Sequence, residues 1–130
     1  MSVVDTSVWS LYLPYKNRPE PEVALLKQLI REGQIQMLGI IRQKLLSGIK
    51  EIAQFEKLQR VLEGFPNLLA TDQDHLVAAQ FYNMCSTKGV QGSSVDFLIC
   101  AQAVNGTMPI LTMDKDFKNY AKLLPIKFFK

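Results

Sequence analysis

Ser2-Val3-Val4-Asp5-Thr6-Ser7-Val8-Trp9 opens the chain with a short apolar run, a carboxylate, two hydroxyl side chains and a second apolar run. The first run reads as a buried strand. Thr6 or Ser7 can cap a helix that begins directly after it. The same order of strand, acid and helix returns at Pro109-Ile110-Leu111-Thr112-Met113-Asp114-Lys115-Asp116-Phe117. Between these two segments the pattern keeps alternating. Val23, Leu25, Leu26, Leu29 and Ile30 recur at helical spacing within Glu22–Arg31, and Gly33 stops that helix. Ile35–Leu38 reads as a strand, followed by helices over Ile40–Ile49 and Ile52–Leu62. Leu68–Ala70 is expected as the third strand. Thr71 or Asp72 then caps a helix that turns Leu76, Ala79, Phe81 and Met84 inward and ends at Gly89. Ser93 or Ser94 caps a helix over Val95–Val104, which Asn105-Gly106 stops. Pro109–Met113 is the fourth strand, a short helix runs through Phe117 and Tyr120, and Ile126–Phe129 is the fifth strand. Strands that alternate with helices predict an α/β fold, with a central, mostly parallel five-stranded sheet flanked by helices.

The chain has 130 residues, 48% of them apolar and 21% charged, which suits one globular domain spanning residues 1–130 and excludes disorder. No apolar run reaches the roughly 20 residues of a membrane span. Asp5 interrupts the first apolar residues and no small-residue cleavage pattern follows, so a signal peptide is not expected. Cys85 and Cys100 lack the spacing of a disulfide framework or a metal site and read as small core residues. A reducing, cytoplasmic setting is the simplest reading. The net charge of +3 is too mild to specify a partner.

The aspartates are more informative. Functional sites of open parallel sheets lie outside the carboxyl ends of the strands. Asp5 and Asp114 directly follow two of the expected strands, and Asp96 falls in the first turn of a helix. Carboxylates gathered at one sheet edge repel one another, so such an arrangement calls for a cation. Oxygen donors without His or Cys select Mg²⁺ or Mn²⁺. Each acid also has a local reading. Asp5 serves as a helix cap, Asp96 interacts favourably with a helix dipole, and Asp114 and Asp116 are turn residues.

Three motifs resemble those of PIN-domain ribonucleases, in particular the VapC toxins of bacterial toxin–antitoxin pairs. They are Val3-Val4-Asp5-Thr6-Ser7-Val8-Trp9, Ser94-Val95-Asp96-Phe97-Leu98-Ile99-Cys100-Ala101 and Ile110-Leu111-Thr112-Met113-Asp114-Lys115-Asp116-Phe117. Their order and intervals cover nearly the whole chain. The resemblance implies a Mg²⁺- or Mn²⁺-dependent endoribonuclease that inhibits translation by cutting a specific RNA. It also implies a VapB-type antitoxin partner and a homodimer. Carried over position by position, Asp5, Asp96 and Asp114 become metal carboxylates. Asp116 becomes an auxiliary acid acting through water, and Thr6 and Thr112 become hydrogen-bonding groups that steady the carboxylates.

One position departs from the family. Its fourth acid is a glutamate on the helix after the second strand, and Ile41-Arg42-Gln43-Lys44-Leu45-Leu46-Ser47-Gly48 carries Lys44 in that place. The change removes a ligand and reverses a charge. A glutamate there would give a net charge of +1 instead of +3. Two unit charges about 4 Å apart interact by about 4 kcal/mol at an effective dielectric near 20. An ammonium at this place therefore competes with the metal, and weak or absent nuclease activity is expected. Glu51, roughly 10 Å further along a helix axis, is a poor substitute. In a shifted alignment, Lys44 instead points to solvent. Two other readings compete with the nuclease: a catalytically silent PIN-like module that engages an antitoxin or RNA, and a flavodoxin-like phosphotransfer domain, which also clusters acids at strand ends. His75 beside Asp72 and Asp74 reads as a solvated helix start. Lys16, Arg18, Arg42 and Lys115 are scattered basic residues available to phosphates. Trp9 and Tyr12 serve either the core or a partner surface.

Overall fold

Val3, Val4, Ile35, Met37, Leu38, Ile110 and Leu111 are almost wholly inaccessible to solvent, because the sheet they build is covered by helices. The computed structural model describes residues 1–130. In chain order the elements are β1 (Ser2–Val4), α1 (Thr6–Tyr12), α2 (Pro21–Arg31), β2 (Ile35–Leu38), α3 (Gly39–Leu46), α4 (Ile52–Glu63) and β3 (Asn67–Leu68). They are followed by α5 (Asp72–Thr87), α6 (Ser94–Asn105), β4 (Ile110–Leu111) and α7 (Asp116–Ala121). The strands lie in the order β3-β2-β1-β4 and every pair is parallel. Val3 is the hinge of the register, opposite Gln36 on one side and Ile110 on the other. Parallel pairing puts all four carboxyl ends on one edge, and the segments leaving that edge carry Asp5, Lys44 and Asp114.

The fifth expected strand is reduced to a single bridge. Phe128 pairs with Ile110, with Ile110 N–H donating to Lys127 C=O and Phe129 N–H donating to Ile110 C=O. The partner strand β4 is itself only two residues long, Ile110–Leu111, which limits the ladder. The third strand lies earlier than expected, at Asn67–Leu68. The helix expected to reach Ile49 stops at Leu46, because Gly48 takes a φ of +91° that right-handed helix does not permit.

α6 is the central helix. Phe97, Ile99, Cys100, Ala101 and Ala103 are all buried, and its apolar character runs around the whole cylinder. α5 packs along it. The expected inward face of α5 was set wrongly. Leu76 and Met84 are 61% and 46% exposed and Ala79 is also exposed, while Phe81 is buried as expected, with Cys85 one turn on. The face is set by tertiary contacts that the spacing of apolar residues did not reveal. Asp74 on that buried side accepts a hydrogen bond from the Asn105 side chain at 2.7 Å, which ties α5 to the end of α6.

Thr71 and Asp74 close the start of α5 reciprocally. Asp74 N–H donates to Thr71 Oγ1 at 3.1 Å, and Thr71 N–H donates to Asp74 Oδ2 at 2.9 Å. Replacing Thr71 with Ala removes one of these bonds. A loss of about 1 kcal/mol is expected in urea unfolding, with no change in the denaturant slope.

Candidate active site

The end of β1 delivers Asp5 into a nearly sealed position, 2% exposed. Its carboxylate caps α1. All three of its protein donors converge on Oδ2: Ser7 N–H at 3.3 Å, Ser7 Oγ at 2.8 Å and Thr112 Oγ1 at 3.0 Å. The two hydroxyls are occupied on their acceptor side as well. Ser7 Oγ accepts from Met113 N–H, and Thr112 Oγ1 accepts from Asp114 N–H, each at 3.0 Å. Strands β1 and β4 are thus stitched together just beyond their last ladder bond, Asp5 N–H to Leu111 C=O. The local reading of Asp5 as a helix cap is what the structure shows.

Asp114 follows β4 and accepts at Oδ1 from Asp116 N–H at 2.9 Å, which turns the chain into α7. Asp96 lies in the first turn of α6, where Ser93 Oγ accepts from its N–H at 3.0 Å. Carboxylate oxygens of Asp96, Asp114 and Asp116 all fall within 4.8 Å of one another. Asp116, expected to act at a distance, is therefore inside the cluster. Asp5 stands beside the trio and its charge acts on Asp96. Thr112 Oγ1 bonds to both Asp5 and the Asp114 N–H, and the second hydroxyl on Asp5 is that of Ser7; Thr6 makes no side-chain hydrogen bond to it.

The electrostatics are those of a site short of positive charge. Burial pushes the Asp96 carboxyl above its ordinary value. The Tyr120 hydrogen bond and the Lys44 charge oppose that rise, and the charges of Asp5 and Asp114 add to it. Lys44 is exposed on α3, yet its ammonium is near enough to favour ionised Asp96. Lys44 is thus solvated while its charge acts on Asp96. Glu51 is the exposed N-cap residue of α4. Three carboxylates this close, all oxygen donors and without a sulfur or imidazole ligand, fit a Mg²⁺ or Mn²⁺ ion.

Two residues of this region are not evident from the sequence. Tyr120 donates its hydroxyl to Asp96 Oδ2 at 2.8 Å from a fully buried position. Gly92 lies against that tyrosine. The one sequence signal for Tyr120 is its spacing of four residues from Asp116, which puts both on one face of a helix. Among the basic residues, Arg18 is held by Glu20 at 2.8 Å, and Lys115 lines a cleft of about 300 Å³ beside Asp114. His75 is exposed, as a helix start implies.

Known structures share this architecture. FitAcB from Neisseria gonorrhoeae is 22% identical, with a TM-score of 0.75 over 100% of this chain and 97% of that one. VapBC2 from Rickettsia felis, bound to a promoter DNA fragment, is 14% identical, with a TM-score of 0.76 over 98% and 96% of the two chains. VapBC-1 from nontypeable Haemophilus influenzae is 18% identical, with a TM-score of 0.75 over 99% and 96%. At these identities the likeness establishes the fold. No curated protein matches the sequence. Residues 2–123 match the family model of the PIN domain, and the chain belongs to the PIN-domain family.

Proposed function

We propose that this protein is the toxin of a toxin–antitoxin pair: a Mg²⁺- or Mn²⁺-dependent endoribonuclease of the VapC type whose activity Lys44 weakens. The observation that carries this reading is the meeting of Asp96, Asp114 and Asp116, with Asp5 beside them, at the carboxyl edge of a parallel sheet. Asp96, Asp114 and Asp116 would hold the ion, with Asp5 adding negative charge from behind. When bound, such an ion acidifies water and stabilises the charge that develops in an in-line displacement at phosphorus. The protein's own part is positional. Ser7 and Thr112 commit Asp5 Oδ2 to the scaffold, and the Asp116 N–H fixes Asp114. Water attacks the phosphodiester opposite the 3′-oxygen, which leaves as a hydroxyl.

Lys44 supplies positive charge to the cluster without supplying a ligand. It partly neutralises the carboxylates and lowers their attraction for a divalent ion. This same feature favours a second reading, in which the chain binds an antitoxin or RNA without cutting. Metal affinity separates the two.

The partner surfaces follow the fold. One solved neighbour, with a TM-score of 0.66, is a toxin–antitoxin complex from Klebsiella pneumoniae, which supports an antitoxin partner here. A groove of about 510 Å³ between α1 and α4 is lined by Tyr12, Leu58, Val61 and Phe65, with Lys16 and Lys57 among its walls. It suits an apolar antitoxin segment with acidic flanks. The exposed apolar side of α5, carrying Leu76, Ala79 and Met84, supports the homodimer. No helix is long and apolar enough to cross a membrane, and the buried free thiols of Cys85 and Cys100 suit a cytoplasmic setting.

Cleavage of pooled structured RNAs with Mg²⁺ or Mn²⁺ tests the reading. The Lys44→Glu chain is expected to cut at least tenfold faster than the chain itself, a difference of about 1.4 kcal/mol in barrier. Lys44→Glu combined with Asp96→Asn is expected to be inactive. Equal cutting by the chain and the Lys44→Glu variant would remove the claim of impairment, and no cutting by any of them would favour the binding module.

Asp96 also makes a stability prediction. Its folded-state pKa is raised, so the folded protein keeps the proton longer than the unfolded chain does. Stability contributed by the neutral carboxyl is present below the unfolded value of about 3.9 and is lost as pH rises through the folded value. Asp96→Asn is therefore expected to raise the melting temperature at pH 7 in EDTA, and the gain should shrink towards pH 4. A gain independent of pH would contradict the assignment.

A further inference from the structure

The Tyr120 hydroxyl joins the two halves of the acidic cluster. Tyr120 sits on α7, four residues after Asp116, and its partner Asp96 sits on α6. The 2.8 Å bond between them therefore spans the gap that separates Asp96 from Asp114 and Asp116. Those carboxylates repel one another, and a neutral donor anchored on one side and bonded to the other sets their spacing against the repulsion. It also divides the labour of the Asp96 oxygens. Oδ2 accepts from Tyr120, and Oδ1 receives no hydrogen bond from the protein.

The ring is held as firmly as the hydroxyl. Tyr120 is fully buried, with Phe97 and Phe117 at centroid distances of 5.0 and 5.4 Å. A phenylalanine would fill this aromatic nest equally well, so packing alone does not call for a tyrosine. Gly92 gives a second and independent sign. Its φ lies outside the left-handed region, so backbone conformation does not require glycine there. Space does. A Cβ at residue 92 would lie 2.5 Å from Tyr120 Oη and 2.8 Å from Phe97 Cζ. The backbone has been brought against the hydroxyl, one residue before Ser93 caps the turn that carries Asp96.

We infer that Tyr120 is a positioning residue of the acidic site, with Gly92 as the opening that admits its hydroxyl, and that together they hold Asp96 with Oδ1 free for a divalent cation. This rests on reading the acidic cluster as a metal site. Tyr120 touches neither substrate nor ion. It acts through Asp96.

Calorimetric titration with Mn²⁺, in the Lys44→Glu chain and at a temperature where circular dichroism shows every variant folded, tests the inference. Tyr120→Phe keeps the ring and is expected to weaken Mn²⁺ binding about tenfold, the usual cost of losing a group that orients a ligand. Gly92→Ala keeps the hydroxyl but displaces it, and is expected to weaken binding in the same direction. Ile99→Val, further along α6 and buried in the core, lowers stability and is expected to leave the affinity within twofold. If Tyr120→Phe binds Mn²⁺ within twofold of its parent, or if Ile99→Val weakens binding as much as Tyr120→Phe does, Tyr120 is only a packing residue and the inference fails. If the Lys44→Glu parent itself binds no Mn²⁺ at millimolar concentration, the metal-site reading fails and takes this inference with it.

Discussion

A carboxylate buried at the end of a central strand must be given donors, and Asp5 draws its donors from both sides of the β1–β4 junction. Ser7 lies two residues ahead on its own helix, and Thr112 comes from the far end of the chain. The arrangement does several things at once. It starts α1, it closes the top of the β1–β4 pair, and it fixes the backbone at Met113 and Asp114 through the same two hydroxyls. The position of Asp114, and hence of α7 and Asp116, follows from how Asp5 is satisfied. A fold with this junction cannot place its acidic edge independently of its sheet.

The cluster beyond that junction works against stability. Asp96 is desolvated and surrounded by like charge, with one tyrosine hydroxyl and one distant ammonium as compensation. Natural sequences place such tension where function requires it and balance it elsewhere. Here the balance comes from an apolar central helix, a capping box on α5 and the Asn105–Asp74 bond between the two longest-packed helices. Lys44 offsets part of the tension directly. A cation at this position relieves the same repulsion among the carboxylates that a bound ion would relieve.

The alternation of strands and helices was legible because apolar β-branched runs, caps and glycine stops agree locally; Asp5, Asp96 and Asp114 stood out because each follows such a boundary, whereas the three acids that meet are Asp96, Asp114 and Asp116, with Asp5 beside them. The errors share a physical cause. The inward face of α5 depends on where α6 lies, and Leu76, Ala79 and Met84 are apolar without being covered by it. The extent of the last strand depends on the length of its partner β4, which offers only Ile110 and Leu111. The bonds that Ser7 and Tyr120 make to Asp5 and Asp96 are not written in the sequence, because a hydroxyl's partner is a matter of three-dimensional neighbours. Gly92 was silent for the opposite reason: its importance lies in an absent side chain.

The sheet has almost no free edge. β3 is two residues long at one side, and at the other the chain's own carboxyl-terminal segment covers β4 with the Phe128 bridge. Short and covered edges deny another strand the row of unpaired amides it would need to add on. Edges this short offer little to recognition by strand augmentation. The larger surfaces open to a peptide or a second copy are helical side chains, where specificity comes from groove shape and charge more than from backbone pairing.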